Sequence, residues 1–223
     1  MTTLDKVKKT IETINPIAGR RRFRMRKQLI NKDISFFTPN CIGGLLFHDL
    51  GLQFLSPTVN LMLTQTDFAK FILNLDEYLE KEFEFFCVPD LSCPCAHLGD
   101  VVIHFTHYQT AEEAEHKWKS RVKRIQRDNM FVFVEERDGL TEETIRELGK
   151  LPVKGLVVFT AHEYSDIPYA LYLPQYHANG EVGNILKRSY LDDSREYESC
   201  FDFVKWFNEA EGYPFDIRPF RKI

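Results

Sequence analysis

Residues 36–51, FFTPNCIGGLLFHDLG, decide how the chain is read. An apolar run stops at Pro39, Asn40 and Cys41 stand side by side, Gly43 and Gly44 follow, and an apolar pattern then resumes through His48 and Asp49 to Gly51. This is the pattern of a strand ended by a tight turn and followed by a short helix that a glycine closes. In open α/β sheets ligands bind outside the carboxyl ends of the strands, so the turn is expected to wall the main pocket.

Outward from this stretch, DISFFT (33–38) reads as the first strand and PTVNLML (57–63) as the second, a β-turn-α-β unit. Residues 64–83, TQTDFAKFILNLDEYLEKEF, predict one amphipathic helix capped by Thr64 or Thr66, with Phe68, Phe71, Ile72, Leu75 and Leu79 on its apolar face. GDVVIHFTHY (99–108) alternates as a strand. Thr110 and Glu113 then stand in capping-box spacing before a charged helix, on which Trp118, Arg121 and Arg124 share a face in a structural role. NMFVFVEE (129–136) and KGLVVFTAHE (154–163) are apolar without alternation, as in strands buried on both faces, with a helix at 141–151 between them. A short strand at YALYL (169–173) and a final helix at FDFVKWFNEA (201–210) complete the pattern. The expected fold class is α/β, a mostly parallel sheet layered by helices in a Rossmann-like three-layer architecture.

The 223 residues suffice for one large core, with 43% hydrophobic residues and a formal net charge of −4. The organisation expected is a basic, helical N-terminal arm over residues 1–30 and a single α/β domain over 31–223. Val7, Ile11 and Ile14 lie at helical spacing in the arm, and Asn15-Pro16 interrupts it. The N-terminus lacks the apolar core of a signal peptide, which predicts a cytoplasmic protein. In RRRFRMRK (20–27) six residues of eight are cations, namely Arg20, Arg21, Arg22, Arg24, Arg26 and Lys27. Such a run is either a solvated helical face or a contact for anionic headgroups or a phosphorylated ligand at the inner face of the membrane. The acidic remainder of the chain argues against nucleic acid.

Five cysteines, an odd number in a chain read as intracellular, predict free thiols. Cys87, Cys93, Cys95 and His97 crowd one loop, but the one-residue gap at Cys93-Pro94-Cys95 does not suit structural zinc, and no metal is expected. Cys41 is the first choice for a functional thiol, because a helix N-terminus lowers a thiol pKa and, with Asn40, Gly43 and Gly44, offers amides to a phosphate or an oxyanion. The alternative is a small buried Cys beside a turn that needs glycine. His104 and His107 fall on opposite strand faces unless the strand ends near Phe105. His107, nearer the carboxyl end, is the candidate general base, and His104 a ligand-binding group or a packed histidine. His48, two turns along the helix, is a further catalytic candidate if it points back, with Asp49 beside it. Glu136-Arg137-Asp138 ends a strand at the same edge, where a carboxylate binds a sugar hydroxyl and a guanidinium a phosphate. A charged turn before Gly139 is the other reading.

SFFTPNCIGGLLFHDLGLQFLSPTVNL, IHFTHY, KWKSRVKRI followed by DNMFVFVEERDG, and FDFVKWFN occur in one order, and in this the chain resembles the bacterial domain-of-unknown-function 1919 family. The resemblance covers about Asp33 to Asn208. Members are frequently labelled exopolysaccharide or capsule biosynthesis proteins, which implies a cytosolic protein acting on a surface glycan or its activated precursor. Two function classes follow. One is a transferase using an activated sugar or acyl donor; a thiol beside a histidine suits acyl transfer, and no Asp-x-Asp supports glycosyl transfer. The other is a non-catalytic protein that binds a glycan or phosphorylated precursor in an assembly complex. The cofactor, if one is used, is not named by these residues.

Overall fold

The computed structural model describes residues 15–89 and 91–222, so the helix expected around Val7, Ile11 and Ile14 lies outside the described residues. The first described helix, α1 (Pro16–Gln28), starts where Asn15 Oδ1 accepts the amides of Ile17 and Ala18 at 3.0 and 3.1 Å. Pro16 fits the first helical position because it gives up an amide that has no helical partner there. Strand β1 (Ser35–Phe37) and helix α2 (Ile42–Leu50) follow, and α2 stops at Gly51 with φ 70°, a left-handed conformation that glycine adopts without strain.

Three expectations for the next segment are corrected. PTVNLML forms no strand: residues 57–60 turn, Asn60 takes φ 63°, and only Met62 makes a bridge, to His104. Pro57 has no amide to donate and a left-handed residue breaks extended pairing, so β-branched composition is overridden. The long helix predicted over 64–83 is two, α3 (Gln65–Leu73) and α4 (Leu75–Glu80), separated at Asn74 with φ −122°. Phe83 leaves the helix and opens strand β2 (Phe83–Phe86), which pairs antiparallel with β3 (Cys95–Leu98), itself paired with β4 (Val101–His104).

Helix α5 (Ala111–Val122) begins at Thr110, whose hydroxyl accepts the Glu113 amide at 3.2 Å. Then come β5 (Met130–Glu135), α6 (Glu142–Leu148), β6 (Gly155–Thr160), β7 (Ala170–Tyr172), α7 (Glu196–Cys200) and α8 (Phe203–Glu209). Strands β1, β5, β6 and β7 lie in that order, all parallel, with Phe36 opposite Phe131 and Phe159 opposite Leu171. Every residue of β1, β5 and β6 is buried, which explains their unbroken apolar runs.

On the sheet, α8 lays Phe207 edge-on to Phe36 and Phe131 at centroid distances of 5.2 and 5.1 Å, and Trp206 edge-on to Phe131 at 4.9 Å. Removing one such ring costs roughly 3–5 kcal/mol, so this layer fixes the sheet's position under the C-terminal segment. The architecture is mixed α/β, a four-stranded parallel sheet with a small antiparallel sheet beside it. Among the described residues no helix is long and apolar enough to cross a membrane.

Candidate functional site

The carboxyl ends of β1 and β5 meet a turn from the small sheet, and the residues there form one connected group. After β1, Asn40 Oδ1 accepts the Ile42 amide at 3.0 Å, and Thr38 Oγ1 accepts the Gly43 amide at 3.3 Å while donating to the Asn40 carbonyl at 2.9 Å. The amides of Ile42 and Gly43 are therefore satisfied inside the turn, so Gly43 does not offer the open amide expected for a phosphate. The two glycines answer a packing demand instead. A Cβ on Gly43 would lie 2.9 Å from Thr38 Oγ1, and one on Gly44 would lie 2.0 Å from Asn60 Oδ1.

Cys41 Sγ lies 3.4 Å from His107 Nε2. Backbone pairing explains the approach: Leu63 N donates to the Pro39 carbonyl, Met62 and His104 bond in both directions, all at 2.9 Å, and β4 ends at His104. The chain then turns, with the Tyr108 amide on the Phe105 carbonyl at 3.0 Å, and His107 stands exposed in that turn above the half-buried thiol. Burial pushes the Cys41 thiol above its ordinary pKa, and a hydrogen bond with Thr106 only partly opposes this. The direction is opposite to the lowering expected at a helix N-terminus, because desolvation disfavours the thiolate more than Thr106 stabilises it. At this separation a proton can pass between sulfur and nitrogen.

Behind Cys41, Asn40 Nδ2 donates to Glu135 Oε2 at 2.5 Å, and Gln65 Nε2 donates to the same oxygen at 3.2 Å. Glu135 ends β5 and is 1% exposed. Burial pushes its carboxyl up to about 7, against the charge of Arg137 and the hydrogen bonds of Asn40 and Gln65, so it holds a proton near neutral pH. Glu136 leaves the extended chain in the other direction and accepts from the Ala161 amide (2.7 Å), the His162 amide (3.0 Å), the Tyr164 hydroxyl (2.6 Å) and the His162 ring (2.8 Å). Burial alone would raise its pKa, but these hydrogen bonds outweigh it and hold the carboxyl below the usual range. One strand end thus carries two carboxyls whose pKa values are shifted in opposite directions, the separation of roles that acid–base chemistry uses. Nearby, Thr160 Oγ1 at the end of β6 is buried without a partner among the described residues.

The remaining sequence candidates divide. Arg137 lies close enough to act on Glu135 and meets Asp138 at 3.5 Å, while Asp138, at φ 53°, accepts the Gln65 amide at 3.3 Å. His48 does not point back to Cys41: its side chain is 78% exposed on the last turn of α2. Asp49 does not face a ligand either, because it pairs with Arg21 and, at 2.9 Å, with Arg22. His104 contacts Cys95 Sγ at 3.3 Å through Nδ1, away from Cys41. The basic arm divides: Arg21 also pairs with Glu198, Arg22 with Asp193, and Arg26 donates to the Asp49 carbonyl at 2.8 Å, whereas Arg20, Arg24 and Lys27 are exposed.

Sequence reasoning passed over Glu135, Gln65, His162 and Tyr164. Two consecutive carboxylates ending an otherwise apolar strand were the available signal for the first. The five cysteines are free, and no cluster of three or more His, Cys, Asp or Glu side chains among the described residues is arranged to hold a metal. A surface cavity of about 680 Å³ lies along β7 and the segment that follows β6, lined by Tyr164, Asp166, Tyr172, Arg218 and Arg221 among others. Of the Cys41–His107 pair, His107 is exposed and Cys41 half-buried.

Residues 15–208 match the family described as domain of unknown function DUF1919. A relative from Haemophilus influenzae, itself described as an uncharacterized protein, is 37% identical over 186 residues, which are 83% of this chain and 89% of the relative.

Proposed function

We propose, for a chain that belongs to the DUF1919 family, that it is an acyltransferase in which Cys41 receives the acyl group and His107 moves the protons. The observation that carries this reading is the 3.4 Å contact between Sγ and Nε2 on an accessible edge of the parallel sheet. It takes the sheet and its helices as a Rossmann-like three-layer unit, whose ligands sit at the strand carboxyl ends.

Because the thiol is protonated at rest, it needs a general base. Nε2 takes the Sγ proton as sulfur attacks the carbonyl of an ester or thioester. A carbon–sulfur bond forms, the bond to the leaving alkoxide or thiolate breaks, and the imidazolium returns the proton to that leaving group. In the second half His107 deprotonates an acceptor hydroxyl, which attacks the acyl-Cys41 carbonyl; the carbon–sulfur bond breaks and the proton passes to Sγ. Asn40, held by Glu135, fixes the turn that carries the nucleophile. The family resemblance, rather than the geometry, supports a surface-polysaccharide precursor as acceptor and a cytoplasmic setting.

Turnover tests the reading. Loss of thioester absorbance from an acyl-coenzyme A, in the presence of a sugar acceptor, is expected with the wild type and abolished by Cys41→Ser. An equal rate in the Cys41→Ser variant would overturn it.

The cavity of about 680 Å³ favours a second reading, a non-catalytic protein that binds a glycan or phosphorylated sugar. Its phenol rings suit a sugar face, Asp166 sugar hydroxyls, and Arg218 and Arg221 a phosphate. Calorimetric titration with a nucleotide-activated sugar decides for this reading if binding is weakened by Arg221→Gln, unchanged by Cys41→Ser, and accompanied by no acyl transfer.

A further inference from the structure

Helix α1 presents two faces. The inner one is fastened to the body by buried Ala18 and by Arg21, Arg22 and Arg26, which engage Asp49, Asp193, Glu198 and the end of α2. At 100° per residue, Arg20, Phe23, Arg24 and Lys27 fall together on the opposite arc. These cations make no ion pair among the described residues, and Phe23 is 70% exposed. Ile17 extends the arc toward one end and Ile30, 82% exposed, lies just past the other.

A loop enlarges the patch. Tyr190 and Leu191 are exposed and held beside the start of α1, where Asn15 Nδ2 donates to the Leu191 carbonyl at 3.0 Å and Arg21 Nε to the Asp192 carbonyl at 3.1 Å. Of the eight large hydrophobic side chains most exposed among the described residues, five lie here: Ile17, Phe23, Ile30, Tyr190 and Leu191. That grouping decides against chance scatter, since singly exposed apolar residues are ordinary and a cluster of them marks an interaction surface.

We propose that this face of α1, with Tyr190 and Leu191, docks on a bilayer surface rich in anionic lipid. The cations match anionic headgroups in charge, and the aromatic and aliphatic side chains among them reach the acyl boundary, the arrangement of a helix lying in the interface plane. The face is a convex helix exterior, which suits a plane better than a bound peptide. A net charge of −4 makes the stripe a local device rather than a general affinity for polyanions. The acyltransferase reading is not needed for it.

Flotation of the 223-residue chain with phosphatidylcholine vesicles, with and without phosphatidylserine, tests the assignment. Binding is expected only with phosphatidylserine, and about 0.5 M salt should suppress it. Arg20→Gln, Arg24→Gln and Lys27→Gln combined should weaken binding about a hundredfold, and Phe23→Ser about tenfold or more. Both variants should keep the wild-type thermal midpoint, because the residues changed hold nothing within the fold. The proposal falls if wild type stays unbound on phosphatidylserine vesicles at low salt, binds phosphatidylcholine alone equally well, or loses nothing in either variant.

Discussion

Cys41 Sγ stands 3.4 Å from His107 Nε2 across a sequence separation of 66 residues, held there by the backbone bonds that tie Leu63 to Pro39 and Met62 to His104. Since burial raises the thiol pKa, the thiolate forms only at alkaline pH unless a substrate is present. Alkylation of Cys41 by iodoacetamide, followed peptide by peptide so that Cys87 and Cys93 are scored apart, should rise through neutral pH with a midpoint above the ordinary value of about 8.5. A flat, high reactivity between about pH 5 and 8 would mean a standing thiolate–imidazolium pair and would contradict this resting state.

Glu135 ties stability to pH. Its folded pKa of about 7 lies above the unfolded value of 4.5. Below about pH 4.5 both states are protonated and the residue costs nothing. Between about 4.5 and 7 the unfolded chain ionises first, so stability falls as pH rises, and above about 7 the loss is complete, at most about 3 kcal/mol. Glu135→Gln keeps acceptor and shape without the titration. Denaturant unfolding should find the variant near wild type at pH 4 and more stable than wild type at pH 8. A constant difference at both pH values would show that Glu135 is not held neutral by burial.

Gly44 is required by Asn60. A Cβ there would stand 2.0 Å from Asn60 Oδ1, a side chain anchored on a residue with φ 63°. Gly44→Ala should therefore cost about 1–3 kcal/mol in chemical unfolding. Adding Asn60→Gly removes the clashing amide at a position where glycine is at ease, so the double variant should recover part of the loss. Strict additivity of the two changes would locate the strain elsewhere.

Much of this arrangement was legible before the structure. The apolar runs of β5 and β6, the threonine caps at Thr64, Thr110 and Thr141, and Gly51 at the end of α2 all act locally, so spacing alone reveals them. Cys41 and His107 do meet, but not through the strand-end rule, because His107 follows a strand of the small antiparallel sheet and is brought in by the pairing of Met62 with His104. What stayed hidden depended on distant partners. PTVNLML has strand composition, yet Pro57 and the left-handed Asn60 turn it. The pKa of Glu135 is raised by burial against the hydrogen bonds of Asn40 and Gln65, 95 and 70 residues away, and the arginines of α1 find Asp49, Asp193 and Glu198 far along the chain. The thiol was misjudged for the same reason, because local helix geometry suggested activation and tertiary burial reversed it.

Acylation of Cys41 itself tests the account most directly. A single-turnover reaction with p-nitrophenyl acetate at pH 7.5, stopped in acid and localised by peptide mass spectrometry, reads the first chemical step without assuming an acceptor. Wild type should carry the acetyl group on Cys41, and His107→Gln should slow that modification at least about a hundredfold, the usual contribution of a general base. Equal rates in the two proteins, or acetylation confined to Cys87 and Cys93, would contradict it.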